Sequence, residues 1–293
     1  MAKINIVINV TINIPFKQSF VNKFRLPFGI QNYGICTVIL FLNIFQNNTF
    51  IFNTNDVKLI IIGKLLINIF GGYILITYEL LKNDTAVNTY ITKADESLKA
   101  LGFTEHSFAH VCKVAEDAAY ILTTLGFDSH TVETAKIAAY LHDIGNLVNR
   151  VEHSQSGAVM AFRILTNMDM NPEDIATIVT AIGNHDEGTG QPVNAVSAAL
   201  ILADKSDVRQ SRVRNSDIST FDIHDRVNYS VKKSTLKINE EKTIIKLKLT
   251  VDTHMSSVMD YFEIFLERMI LCRKSAEKLG LSFKLIINEQ QLI

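Results

Sequence analysis

The sequence predicts a mainly α-helical bundle that is followed by a small C-terminal α+β unit with the order β-β-α-β. Three observations predict this fold class. Between residues 84 and 209, apolar side chains recur at helical spacing. Between residues 243 and 251, apolar and polar side chains alternate as in a strand with one buried face. At Glu79, the composition changes to that of an ordinary globular domain. The sequence therefore divides into three predicted parts: an N-terminal segment of unusual composition (residues 1–78), the helical bundle (79–217) and the C-terminal α+β unit (218–293).

Residues 1–78 have an unusual composition, with 17 isoleucines and Asp56 as the only acidic residue. Three interpretations stay open: an upstream extension of the reading frame without function, association with a membrane, or a genuine small β-rich subdomain. The apolar run from Tyr33 to Phe45 has 13 residues, whereas a helix needs about 20 to span a bilayer. The longer run from Leu59 to Thr77 contains Lys64, and a central lysine is costly in a membrane. The segment lacks the order of features that defines a signal peptide.

Charge and cysteine content exclude several classes of protein. The net charge of −1 gives no strong signal for nucleic-acid binding. Cys36, Cys112 and Cys272 lie far apart, which argues against a disulfide scaffold or a thiolate zinc site and suits a reducing compartment. We therefore expect a cytoplasmic protein, associated with a membrane if residues 1–78 are genuine.

The bundle is predicted to contain six helices, several of which carry clear boundary signals. Gly102 and Gly126 end the first two helices. Asp128 or Ser129 caps the third, which runs to Gly145. The dipeptide Asn171–Pro172 provides a cap and then a proline at the first helical position of the fifth. The predicted ranges are 84–101, 104–125, 128–145, 154–167, 171–183 and 194–209.

The tail is predicted to form a hairpin of strands 232–238 and 243–251, a long helix over 255–279 and a strand over 282–287. In the second strand, Ile245, Leu247 and Leu249 alternate with lysines and threonine. This unit shows no evident chemistry. The apolar face of its helix could serve an interface, so a homo-oligomer is one expectation.

Six of the eight histidines lie between His106 and His185, and one group among them stands out. His142 and Asp143 are adjacent at the end of an apolar helix, directly before Ile144 and Gly145. Neighbouring residues in mid-helix diverge by about 100°, so both can reach one ion only where the helix is ending. A single His-Asp pair is weak evidence for a metal site. The alternative interpretation is a buried cluster of hydrogen-bonded polar side chains.

Two further residues make the set more specific. His110 lies 32 residues before His142, and Asp204 follows the apolar run 198–203. A carboxylate beside a core needs a partner such as a metal ion. Histidine and aspartate together suit Mn, Fe, Ni, Co or Zn better than a calcium cage.

The order His110, His142-Asp143 and Asp204 on successive helices resembles the HD superfamily of metal-dependent phosphohydrolases. His153, followed four residues later by Gly157, and His185, within an Asn-His-Asp-Glu sequence, resemble the third and fourth histidines of its binuclear branches. The resemblance covers about 130 residues. It implies divalent ions, one or two per chain (Mn, Fe, Ni, Co, Zn or Mg), and a metal-activated water that attacks phosphate. The implied ligands are His110, His142, Asp143, His153, His185 and Asp204, with Asp143 as the bridging and catalytic centre.

Several other residues are candidates for catalysis or substrate binding. His106, one turn before His110 on the predicted helix, could orient His110, contact phosphate or donate a proton, and Lys205 could contact phosphate or act as a general acid. Arg209 and Arg212, which form a basic cluster with Arg214, could bind a substrate phosphate, and a solvated helix end is the alternative. Asp186 and Glu187 could accept hydrogen bonds from ligand histidines.

The resemblance implies a hydrolase for phosphomonoesters or phosphodiesters, with a small phosphorylated molecule such as a nucleotide as substrate. Branches that cleave cyclic dinucleotides carry paired histidines and a Gly-Tyr-Pro element. Here Asp186 replaces the second histidine and the tyrosine is absent, which argues against that substrate. A nucleotide-sensing regulatory module and a di-iron oxygenase are the alternative functions.

Overall fold

The computed structural model describes residues 76–293 throughout, together with four short strands that precede them. These strands are β1 (Val7–Ile8), β2 (Ile39–Phe41), β3 (Thr49–Asn53) and β4 (Lys58–Ile62). They form one antiparallel sheet in the order β1-β2-β3-β4. The chain divides into two compact units, Met1–Tyr73 and Ile74–Ile293. Most of the two apolar runs considered as membrane spans lies outside the described residues. Among the described helices, none has the length and apolar character that crossing a membrane requires.

The second unit is mainly helical, as predicted. Its helices are α1 (Tyr78–Lys82), α2 (Thr85–Ala100), α3 (Phe108–Leu125), α4 (Ser129–Leu141), α5 (His153–Asn167), α6 (Pro172–Gly183), α7 (Ala195–Ser206), α8 (Ile223–Ser230) and α9 (Val258–Lys278). Short 3-10 turns occupy Ile144–Leu147, Gln210–Arg212 and Ile218–Thr220.

The core lies where α3 packs against α4 and α7. Apolar residues on the facing sides of these helices, such as Val114, Ile121 and Leu202, are completely buried. α5 packs on α6 and on the 3-10 turn that follows α4, and α9 packs on α7. The helix ends that carry the candidate metal ligands therefore border one continuous core.

The C-terminal strands are β5 (Val231–Ile238), β6 (Ile244–Val251), β7 (Ser282–Ile287) and β8 (Gln290–Gln291). They form one sheet in this order. β5 and β6 are antiparallel, whereas β6 and β7 are parallel and are connected by α9. Residues of β6 alternate between buried and exposed, so the sheet has one apolar face, as the sequence predicts. The β-β-α-β order of the tail is confirmed.

Several details differ from the sequence-based boundaries. α3 begins at Phe108 rather than at residue 104, because the Ser107 side chain caps it by accepting from the Ala109 N–H. α4 ends at Leu141 rather than at Gly145, and α7 ends at Ser206 rather than at residue 209. The short elements α1, α8 and β8 were not predicted, because segments of two to eight residues carry little periodicity.

Candidate metal centre

Six side chains from five different helix ends meet at one buried point of the bundle. They are His110, His142, Asp143, His153, His185 and Asp204. All four histidines and Asp143 are buried, and Asp204 is nearly so. The structure thus brings together every residue that the sequence identified as a candidate ligand. α4 ends just before His142 and Asp143, so the two adjacent side chains turn towards the same point, as the sequence predicts.

The first part of the cluster contains two histidines and two carboxylates. His110 Nε2 lies 3.2 Å from Asp204 Oδ1 and 3.5 Å from Asp143 Oδ2. His142 Nε2 lies 3.3 Å from Asp143 Oδ2 and 3.6 Å from Asp204 Oδ1. Two imidazole nitrogens and two carboxylate oxygens therefore lie close enough together for several of them to bind the same ion.

The second part uses the other oxygen of Asp143. His153 Nε2 lies 3.5 Å from Asp143 Oδ1 and 3.1 Å from His185 Nε2. Asp143 consequently contacts the first part through Oδ2 and the second part through Oδ1. This arrangement is that of a carboxylate which could bridge two ions.

The hydrogen bonds behind the histidines set which ring nitrogen faces the cluster. His110 Nδ1 lies 2.8 Å from Asp207 Oδ2, and Nδ1 of His142 and of His185 lie 2.7 and 2.6 Å from the carbonyl oxygens of Ala139 and Ile182. Carboxylate and carbonyl oxygens only accept, so Nδ1 donates and Nε2 carries a lone pair. The lone pairs of these imidazoles are directed into the cluster.

The lone pairs that these side chains direct into the cluster are suited to binding a cation. The atoms His110 Nε2, His142 Nε2 and Asp143 Oδ2 are buried and have no hydrogen-bond partner. Buried polar atoms without a partner are costly, and a divalent ion would satisfy all three. Imidazole nitrogens and carboxylate oxygens are ligands for Mn, Fe, Co, Ni and Zn. The residues present therefore fit the divalent ions that the sequence implies.

The pKa values of these side chains also fit a cation in the cluster. Burial alone would raise the pKa of Asp143 and of Asp204, but the neighbouring positive groups hold both well below the ordinary range. Burial lowers the pKa of His153 to about 4 and that of His185 well below its usual value. Burial also acts to lower the pKa of His142, but Asp143 and Asp204 raise it to about 10. The carboxylates thus favour a positive charge at His142 Nε2, which a proton supplies on the metal-free ring and which a metal ion would supply by binding the Nε2 lone pair in its place.

A close contact between two glycines places α5. The Gly145 backbone follows His142-Asp143, and a Cβ on it would overlap the carbonyl oxygen of His153 and the backbone nitrogen of Gly157. The same contact seen from Gly157 leaves its own Cβ position 3.2 Å from Gly145 N and from His142 O. The glycines let α5 approach the turn after α4, which brings His153 to Asp143.

Both arginines that the sequence suggests for substrate binding form hydrogen bonds with Asp207. Arg209 donates to both carboxylate oxygens of Asp207, at 2.7 and 3.1 Å. Arg212 is buried and donates to the carbonyl oxygens of Glu105 and Asp207. Arg214 pairs with Asp95. In this structure, Arg209 and Arg212 support the residue behind His110 rather than face the cluster.

Lys205 is buried within a group of carboxylates. Its Nζ lies 2.9 Å from Asp204 Oδ2, 2.9 Å from Glu187 Oε2 and 3.8 Å from Asp186 Oδ1. Burial acts to lower its pKa, but these carboxylates raise the pKa above the ordinary lysine value. Lys205 therefore remains a charged ammonium group next to Asp204. Glu187 also binds Arg268 of α9, at 2.7 Å.

His106 precedes α3 and does not share a helical face with His110, in contrast to the predicted helix boundary. The two rings are nevertheless close, with centroids 5.5 Å apart and an edge-to-face arrangement. His106 Nδ1 lies 2.7 Å from the carbonyl oxygen of Thr104, so its Nε2 carries the lone pair. Burial holds the pKa of His106 well below its ordinary value.

Four supporting residues were missed by sequence reasoning. Asn146 donates to Asp143 Oδ1 at 3.1 Å, and Asp207 orients His110. Arg150 contacts His153, and Arg268 contacts Glu187. Asn146 had a usable signal, because it lies one helical turn after Asp143. The partners of Asp207 and Arg268 lie 97 and 81 residues away in sequence, and no local pattern indicates them.

Three comparisons show which known proteins this chain is similar to. Residues 107–246 match the family model of the HD domain. An uncharacterized protein of Methanocaldococcus jannaschii is 28% identical over 57% of this chain and 72% of that protein. A crystal structure of a predicted HD superfamily hydrolase from an uncultured Thermotogales bacterium is 25% identical and covers 45% of this chain and 73% of that chain, with a TM-score of 0.34.

Proposed function

The chain contains an HD domain at residues 107–246, and we propose that it is a metal-dependent hydrolase of phosphate esters. The proposed substrate is a small phosphomonoester or phosphodiester such as a nucleotide. HD domains belong to a superfamily of metal-dependent phosphohydrolases, while the reaction and substrate of this chain are our proposal.

One observation carries the proposal: Asp143 faces two histidine groups with its two carboxylate oxygens. His110 and His142 lie on the Oδ2 side, and His153 lies on the Oδ1 side. His185 completes the second group. Two ions held side by side would activate a water and neutralise phosphoryl oxygens. The chain supplies the fixed geometry, because each ligand sits at a helix end against the core.

His106 and Lys205 are suited to different parts of the reaction. His106 Nε2 is an acceptor, because Nδ1 donates to the Thr104 carbonyl oxygen. Because burial holds the pKa of His106 well below its ordinary value, this nitrogen is better suited to accepting a hydrogen bond from a water or from the substrate than to taking up a proton. Lys205 keeps its charge beside Asp204 and is better suited to electrostatic stabilisation than to proton donation.

The test combines elemental analysis with a hydrolysis screen on the full chain. Phosphomonoesters and phosphodiesters are offered with Mn²⁺, Ni²⁺, Co²⁺ and Mg²⁺. We expect about two ions per chain and metal-dependent turnover in the native protein. Asp143→Asn should lose both. The control is His254→Gln, an exposed histidine in the tail, and it should retain both.

Other outcomes would select between the functions. No bound metal under any condition would refute the proposal. Tight nucleotide binding without turnover across these metals would support the nucleotide-sensing module instead. Oxygen consumption by the iron-loaded protein would support the di-iron oxygenase. About one ion with turnover would restrict the site to His110, His142, Asp143 and Asp204.

A further inference from the structure

Helix α9 carries an apolar stripe on the side that faces away from the core. Its inner side is buried through residues such as Phe265 and Met269, whereas Met259, Leu266 and Ile270 are 74%, 50% and 36% exposed. These three follow one another at intervals of seven and four residues, so they lie on one line along the helix. Single exposed apolar side chains are common on monomeric proteins, but a line of them indicates a contact surface.

Charged side chains flank this stripe in a polarised order. Glu263 and Glu267 lie in the first half of α9, and Lys274 and Lys278 follow in the second half. All four side chains are exposed. At 100° per residue, they lie within about 60° of one another, on the same flank of the stripe. This flank therefore changes from negative to positive along the helix.

Interactions within the helix do not account for this order. Glu263 and Glu267 are one turn apart, as are Lys274 and Lys278, and like charges at this spacing are slightly destabilising. The helix macrodipole favours acidic residues in the first turn and basic residues in the last. In α9 those turns hold Asp260 and Lys278, so the macrodipole leaves the other three charges unexplained. Charges on a second molecule explain them better.

We propose that the protein forms a symmetric homodimer in which the α9 helices of two copies pack antiparallel through this stripe. Leu266 of one copy then lies against Ile270 of the other, and the two-fold axis passes at the level of residue 268. Around this axis, Glu263 of one copy lies at about the level of Lys274 of the other, on the same flank. A parallel arrangement would instead place carboxylates beside carboxylates. The surface thus complements a second copy of itself in the antiparallel orientation.

The test is the molecular mass of the full chain in solution, measured by analytical ultracentrifugation over a range of protein concentrations. We expect a reversible equilibrium between one and two chains. Leu266→Glu should weaken dimerisation at least about tenfold, because each dimer then buries two carboxylates in an apolar contact. The matched control is Val159→Glu, which alters an apolar residue of α5 that is 70% exposed and should leave the equilibrium unchanged.

Reversal of charge tests the antiparallel orientation. The double variant Glu263→Lys with Glu267→Lys leaves only positive charges on the flank and should weaken the homodimer about tenfold. Adding Lys274→Glu and Lys278→Glu to this variant puts opposite charges back across the interface in reversed order. This fourfold variant should dimerise about as well as the native protein.

Three outcomes would overturn the proposal. A native chain that stays monomeric at every concentration would do so, and so would a dimer that Leu266→Glu leaves intact, because another surface would then form it. Loss of the dimer in Leu266→Glu without any response to charge reversal would contradict the antiparallel arrangement. Thermal unfolding of each variant separates loss of the dimer from loss of the fold. If Leu266→Glu did not fold, the charge-reversal variants would decide, since their positions are exposed.

Discussion

Arg268 of α9 donates from Nε to Glu187 Oε1 at 2.7 Å and thereby connects the C-terminal segment to the loop that carries His185. The other oxygen of Glu187 accepts from Lys205, which also contacts Asp204. A continuous series of ion pairs therefore runs from the tail helix to a candidate metal ligand. The C-terminal unit consequently shapes the loop beside the metal centre, although it supplies no ligand.

The first prediction concerns this ion pair. Arg268→Met should lower the free energy of unfolding by about 2 kcal/mol, because a mostly buried carboxylate loses a charged hydrogen-bond donor. The variant also loses the stacking of the guanidinium on Phe265, at 4.3 Å from the ring centroid. Urea denaturation measures the change. Arg273→Met, at an exposed position of the same helix, is the control. Equal stability of the two variants would contradict the prediction.

The second prediction uses Cys272 to report whether α9 is docked. Its side chain is buried, and burial raises the pKa of this thiol to about 12. At pH 8 only about one molecule in ten thousand would carry the reactive thiolate. Iodoacetamide should therefore modify Cys272 in the urea-unfolded chain but not in the native protein, as measured by peptide mass mapping. Rapid native labelling would show that α9 does not pack as described.

The third prediction concerns removal of metal. The uncompensated polar atoms at His110, His142 and Asp143 come together only in the folded chain, so we expect divalent ions to bind the folded state more tightly than the unfolded chain. Dialysis against a chelator should lower the thermal midpoint, and Mn²⁺ should restore it. Free metal at 100 times its dissociation constant should add about 2.7 kcal/mol of stability. Thermal unfolding across a Mn²⁺ series measures this.

A substitution tests whether that stabilisation arises at the metal centre. In Asp143→Asn the dependence of the thermal midpoint on Mn²⁺ should be largely lost, since the carboxylate that faces both histidine groups is replaced by a neutral amide. His254→Gln should behave as the native protein. If Asp143→Asn kept the full metal response, the ions would be binding elsewhere.

The candidate ligands were predictable from sequence, because their order along the chain resembles that of the HD superfamily and because His142 and Asp143 stand where a helix is predicted to end. The end of α4 at Leu141 explains why His142 and Asp143 point together, and the sequence predicted that break near Gly145. His106 was assigned to the helix of His110 because Ser107, a strong cap, was not taken as the start. The two rings are therefore close, as predicted, but they do not share a helical face.

The supporting network could not be predicted in the same way. The sequence shows that Arg209 and Arg212 follow Asp204, but not that Asp207 and backbone carbonyl oxygens bind both. It likewise cannot show that Arg150 contacts the ring of His153, since such contacts depend on how the side chains pack. Fold class follows from periodicity, whereas long-range ion pairs follow from packing that only the structure shows.

The fourth prediction tests the contact that positions α5. Gly145→Ala should lower the free energy of unfolding by at least about 2 kcal/mol, because the new Cβ meets backbone atoms of His153 and Gly157, which cannot rotate away. It should also weaken Mn²⁺ binding, since His153 must move with α5. Gly183→Ala is the matched control: its Cβ would lie 3.6 Å from Ala158 Cβ, an ordinary contact, at the end of α6, so stability should be retained. Urea denaturation and Mn²⁺ titration measure both effects. If Gly145→Ala were as stable as the control and bound Mn²⁺ normally, the close approach of α5 would not be what places His153.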